Sequence, residues 1–68
     1  MIKYRLRDLM RERGVTYRQV SKGAGVAVRT LQKVANDETV QTDILERLCR
    51  YFDIDINQLV VYEKPVEE

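Results

Sequence analysis

The side chains with chemistry to offer gather in one stretch, Val15 to Asn36, which reads VTYRQVSKGAGVAVRTLQKVAN. Its spacing predicts two short helices joined by a tight turn, the second running from about Val28 to Ala35. Val20, Val26, Leu31 and Val34 are the apolar positions that would lock the pair, which turns Arg29, Gln32 and Lys33 outward. Outward cations suit a polyanion; a solvated surface is the plain competing reading of the same residues. Groups for other chemistry are missing. The chain has no histidine, one cysteine (Cys49) and no pair of acids in an evident cleft, so no catalytic residue, metal ligand or cofactor is expected. Cys49 reads as a small core hydrophobe.

The elements that position these side chains carry their own signals. Thr16 and Gln19 form a T-x-x-Q capping box, with Val15 before the cap and Val20 inside it as a hydrophobic staple. Ser21 is a small residue on the inner face. Gly23 and Gly25 break the helical run, and Gly25 can take the positive φ of a sharp turn. Asn36 closes the second helix and tolerates the left-handed conformation there.

The flanking chain fits around this pair. Ile2, Leu6, Leu9 and Met10 make one stripe of a first helix that Gly14 ends, with Lys3, Arg7 and Arg11 on another face. Asp37 to Gln41 is a loop. From about Thr42, Leu45, Leu48, Cys49 and Phe52 make the stripe of a fourth helix, flanked by Ile44 and Tyr51 and ended by Asp53. Asp55 and Gln58 cap a short fifth helix over Ile56 to Val60, with Ile54 and Leu59 as its staple. Leu59 belongs to the core. Val61 and Tyr62 could finish the core, form a short strand or offer a dimer surface. The expectation is an all-α domain of five short helices over residues 1–62, followed by an acidic flexible tail over 63–68 that Pro65 keeps irregular.

Sixty-eight residues make one small domain, with a core modest enough that a dimer would help it. No apolar run approaches the roughly 20 residues of a membrane span. The lone cysteine, with no partner in the chain, fits a reducing cytoplasm. The net charge of +1 conceals a strong asymmetry. Residues 1–34 hold nine Lys/Arg against Asp8 and Glu12, a net of +7, while residues 35–68 hold three against nine acids, a net of −6. The motif lies in the basic half, which would draw that end of the domain toward polyanions.

The ordered set Thr16-Tyr17, Val20-Ser21, Gly25-Val26, Thr30-Leu31 and Val34 with Asn36 resembles the helix-turn-helix of the phage repressor/Cro (XRE-type) DNA-binding family. The resemblance extends over roughly Ile2 to Leu59. It implies a lambda-repressor-like fold with the motif at helices two and three, and double-stranded DNA as the partner. By position, Ala27, Val28, Arg29 and Lys33 fall where the family reads bases. Arg29 could bond guanine O6 and N7, and Ala27 and Val28 could meet a thymine methyl. Thr16, Tyr17, Arg18, Thr30, Gln32 and Asn36 fall among phosphate-contacting positions.

Several residues depart from the family's pattern. Met10 and Ala35 stand where members often pair an Arg with a Glu; both partners are replaced together, so no charge is stranded. Tyr17 stands where Gln is frequent. Ala27 stands where a capping Ser or Thr is common, a loss of about 1 kcal/mol. Asp37 and Glu38 put acids in a loop that runs near phosphate. The resemblance therefore implies a transcriptional regulator, expected to be a homodimeric repressor, with no small-molecule substrate and no membrane. The alternative is a protein-interaction module that keeps the fold with weak or no DNA binding.

Overall fold

A computed structural model describes residues 1–64. The element order is β1 (Ile2–Tyr4), α1 (Leu6–Arg13), α2 (Tyr17–Ala24), α3 (Val28–Ala35), α4 (Thr42–Phe52), α5 (Ile56–Leu59) and β2 (Val60–Tyr62). Five helices were expected and five form among the described residues. The two strands, which pair antiparallel, are an addition to the all-α expectation. Among the described residues no helix is long and apolar enough to cross a membrane.

The core is a single cluster of Leu6, Leu9, Val20, Val26, Leu31, Val34, Leu48, Phe52 and Leu59, all at most 5% exposed. Every helix contributes to it. At about 25 cal/mol per Å² of apolar area removed from water, these side chains are the main favourable term in folding. Met10 and Ala35 are both partly buried against the cluster, as an apolar replacement for an ion pair requires.

Four helices end in the same way. Beyond α1, α2, α3 and α4 a residue takes positive φ: Gly14 (64°), Gly25 (70°), Asp37 (59°) and Asp53 (56°). The next residue then donates its N–H back into the last turn: Val15 to Met10, Val26 to Ser21, Glu38 to Lys33 and Ile54 to Cys49, at 2.9–3.2 Å. This pattern satisfies orphan carbonyls and reverses the chain. After α1, α2 and α4 the donor is Val15, Val26 or Ile54, and each packs on the core. The helix ends therefore also aim hydrophobes inward.

The structure corrects four local expectations. Ile2 is not helical; it lies in β1 and is 51% exposed, so the first helix starts at Leu6. Its apolar spacing to Leu6 is overridden because the extended ladder with β2 holds the chain on either side of it, through Met1 with Glu63 and Lys3 opposite Val61. Asn36 is not left-handed (φ −95°); Asp37 takes that role one residue later, and its carboxylate accepts from Tyr4 N–H at 3.0 Å. The fifth helix stops at Leu59, one residue short of the expected end, because Val60 turns extended to enter β2. Gly23 does not break α2 but lies inside it. A Cβ there would sit 2.6 Å from Tyr51 Cδ1 and closer still to Cε1, so the missing side chain lets α4 approach.

Glu63, assigned to the tail by sequence, is held in place. It exchanges main-chain bonds with Met1 (2.8 Å each), and its carboxylate meets Lys3 Nζ at 3.1 Å. The remainder of the expected tail, residues 65–68, lies outside the described residues.

The approach of α2 to α4 predicts that Gly23→Ala destabilises. Overpacking typically costs about 1–3 kcal/mol, against a gain of up to about 1 kcal/mol from helix propensity, for a net loss of about 1 kcal/mol. In a Tyr51→Ala background the same change should instead stabilise. Urea unfolding of the four proteins of this cycle measures both signs.

Candidate nucleic-acid interface

The presenting element is α3. Leu31 and Val34 are fully buried, which fixes its rotation about its own axis. Arg29, Gln32, Lys33 and Asn36 follow at helical spacing on the opposite side, all exposed, and together line one shallow groove. Val28, at the first turn, keeps 37% of its surface open. Lys33 stands on a ridge: it also borders a second groove with Thr30, Thr39, Val40, Gln41 and Ile44. Thr30 is half-buried there. Ala27 precedes the helix with extended backbone (ψ 144°) and makes no side-chain cap, as its residue type requires.

Ahead of α3, the N-terminus of α2 is built as the capping box predicts. Gln19 N–H donates to Thr16 Oγ1 at 3.2 Å, and Thr16 N–H donates to Gln19 Oε1 at 2.8 Å. The first helical bond runs from Val20 N–H to Thr16 O. The amides of Tyr17 and Arg18 thus have no acceptor among the described residues, an arrangement suited to an anion. Arg18 is exposed. Tyr17 is half-buried, with its ring against the core, so it is partly a structural residue.

Between α2 and α3, Arg47 of α4 reaches across to donate to Gly25 O at 2.9 Å and pins the turn. On the far side of α3, Arg7 of α1 donates to Asn36 Oδ1 at 3.1 Å. Asn36 therefore presents its amide while tethered. Arg7 joins the same face, a residue that sequence spacing placed only on a basic side of helix one.

Seven of the basic residues divide into two groups that composition alone could not separate. Arg13 donates to Phe52 O at 2.8 Å, with its guanidinium 5.9 Å from the Phe52 ring centroid, and so closes the end of α4. Arg5 reaches Gln58 O at 3.4 Å, and Lys3 pairs with Glu63. These three, with Arg47, hold the fold together. Arg18, Arg29 and Lys33 have no acidic partner or acceptor among the described residues and remain for a ligand.

The two acids of the α3–α4 loop also separate. Asp37 turns away to bond Tyr4 N–H. Glu38 stays exposed and lines the groove of Arg29 and Lys33. On α4, Cys49 is half-buried at the edge of the core; burial pushes its thiol up, and the Asp55 carboxylate adds to this. A raised thiol is a poor nucleophile at neutral pH.

Two helices set by a glycine turn, the second with its polar face turned outward, define a helix-turn-helix protein. The chain belongs to the family described as Cro/C1-type HTH DNA-binding domain, whose family model matches residues 5–65. It is a DNA-binding regulator of that family. Comparison with curated proteins and with solved structures gives no match.

The division of the arginines is testable by stability alone. Arg13→Ala should lower unfolding free energy by about 1.5 kcal/mol, the low end of the range for a hydrogen bond to a charged group, because Arg13 is exposed. Arg18→Ala and Arg29→Ala should each stay within about 0.5 kcal/mol of the parent. Denaturant titration separates the two outcomes.

Proposed function

We propose that this chain is a sequence-specific transcriptional repressor that inserts α3 into the DNA major groove and binds its operator as a homodimer. One observation carries the reading: burial of Leu31 and Val34 leaves Arg29, Gln32, Lys33 and Asn36 aligned on the open side of a helix, in a groove free of apolar cover. A major groove accommodates one such helix. In this reading Ala27, Val28, Arg29 and Lys33 read bases. Arg29 makes the bidentate contact to guanine, and Ala27 and Val28 lie against a thymine methyl. Thr16, Tyr17, Arg18, Thr30, Gln32 and Asn36 meet phosphate, with the spare amides of Tyr17 and Arg18 taking one oxygen at the head of α2. A two-fold operator with half-sites about 34 Å apart requires two copies.

Glu38 favours a second reading, an interaction module with weak DNA binding, because a carboxylate in the groove of Arg29 and Lys33 opposes a phosphate there.

The test is selection of bound duplexes from a random pool, followed by titration of the selected operator at several salt concentrations. Affinity should fall steeply and linearly on a log–log plot. Arg29→Ala should relax preference at one base pair by about 1–3 kcal/mol, whereas Arg18→Ala should weaken all sequences alike. Glu38→Gln should tighten binding without changing the preferred sequence. A flat salt response with no selected sequence would transfer the weight to the interaction module.

A further inference from the structure

The β1–β2 ribbon has two outer edges, and the fold treats them differently. Ile2 lies opposite Tyr62, Lys3 opposite Val61 and Tyr4 opposite Val60. Met1 and Glu63 exchange both main-chain bonds, and Arg5 N–H donates to Leu59 O at 2.7 Å. The alternation of an antiparallel ladder then turns the N–H and C=O of Ile2, Tyr4, Val60 and Tyr62 outward. On the β1 edge, Tyr4 N–H is closed by the Asp37 carboxylate at 3.0 Å. A charge set there is a common guard against pairing with another strand. On the β2 edge, Val60 N–H is used by Ile56 O of α5. Beyond it, among the described residues, nothing accepts from the main-chain N–H of Tyr62 or Lys64, and nothing donates to the carbonyls of Val60 or Tyr62.

We propose that a second copy of this chain pairs with the β2 edge, antiparallel, with Tyr62 on the two-fold axis, to make one continuous four-stranded sheet. Three observations commit the edge to its own copy. The first is hydrogen-bond order. With Tyr62 opposite Tyr62 of the second copy, these residues exchange two bonds. Lys64 N–H of each copy meets Val60 C=O of the other, for four in all. Centring on Val61 instead would set Val60 against Tyr62, and the spent N–H of Val60 would leave only two. The second is charge. Only the residue on the axis meets itself, and Tyr62 is neutral; Glu63 then faces Val61 and Lys64 faces Val60, so no like charges oppose each other. The third is apolar surface. Ile2 (51% exposed) and Tyr62 (64% exposed) are cross-strand neighbours on one face. Pairing continues them as a row Ile2–Tyr62–Tyr62–Ile2 across four strands, which covers side chains the lone domain leaves to water.

This inference assigns the surface of the homodimer in the proposed function, yet it can fail with DNA binding intact, so its test contains no DNA. Sedimentation velocity from ~10 μM to ~1 mM should show a reversible monomer–dimer equilibrium for the parent chain, in the weak range expected of a short interface. Tyr62→Pro deletes the outward N–H and spares every inward ladder bond, and proline is tolerated at sheet edges. It should weaken the dimer at least tenfold, with helical circular dichroism unchanged. Amide hydrogen exchange supplies a readout that needs no variant. The Tyr62 and Lys64 amides should gain protection as concentration rises through the dimer transition, while those of Val61 and Glu63 stay protected throughout. A chain that is monomeric over the whole range, a dimer whose Tyr62 amide exchanges freely, or a folded Tyr62→Pro variant that dimerises like the parent would each overturn the proposal.

Discussion

Leu31 and Val34 have no exposed surface and belong to a core cluster that also takes residues from α1, α2, α4 and α5, and that burial sets the one angle on which function turns. A helix of eight residues has too little propensity to hold itself in water. The tertiary core holds α3 instead, and its polar side is open because its apolar side is closed. The glycine turn before it, pinned by Arg47, and the left-handed Asp37 after it fix where the helix starts and stops.

A second theme is how a chain this short divides its charge. Arg5, Arg13 and Arg47 are spent on carbonyl oxygens at element ends, where a guanidinium satisfies an orphan acceptor and brings its methylene stem against the domain. Lys3 ties the ribbon to Glu63. Arg18, Arg29 and Lys33, on the two motif helices, carry no such duty. The basic excess of the first half is therefore smaller at the proposed interface than the residue count suggests, and Glu38 reduces it again. Asp37, which sequence spacing grouped with Glu38 as an obstacle to phosphate, is instead a fold residue.

Much of the domain was readable from short-range signals. The capping box at Thr16 and Gln19, the turn at Gly25, the stop at Gly14 and the stripe over α4 are all local: partners lie three or four residues apart, and a residue type decides the outcome. Gly23 shows the limit of that reading. It looked like part of the break because glycine usually is one, but the reason for it is the Tyr51 ring on another helix. Ile2 failed similarly: its spacing to Leu6 fits a helix, and only a strand some sixty residues away makes the extended form better.

By itself the amino-acid sequence determined the five helices, most residues of their buried faces and the outward position of Arg29, Gln32 and Lys33, because helical period and caps act within one or two turns. The tertiary structure alone decided the two-stranded ribbon and its unequal edges, the fate of each arginine, and the parting of Asp37 from Glu38. Those depend on which distant backbone group happens to lie within hydrogen-bond reach, and chain entropy leaves that open until the core has closed.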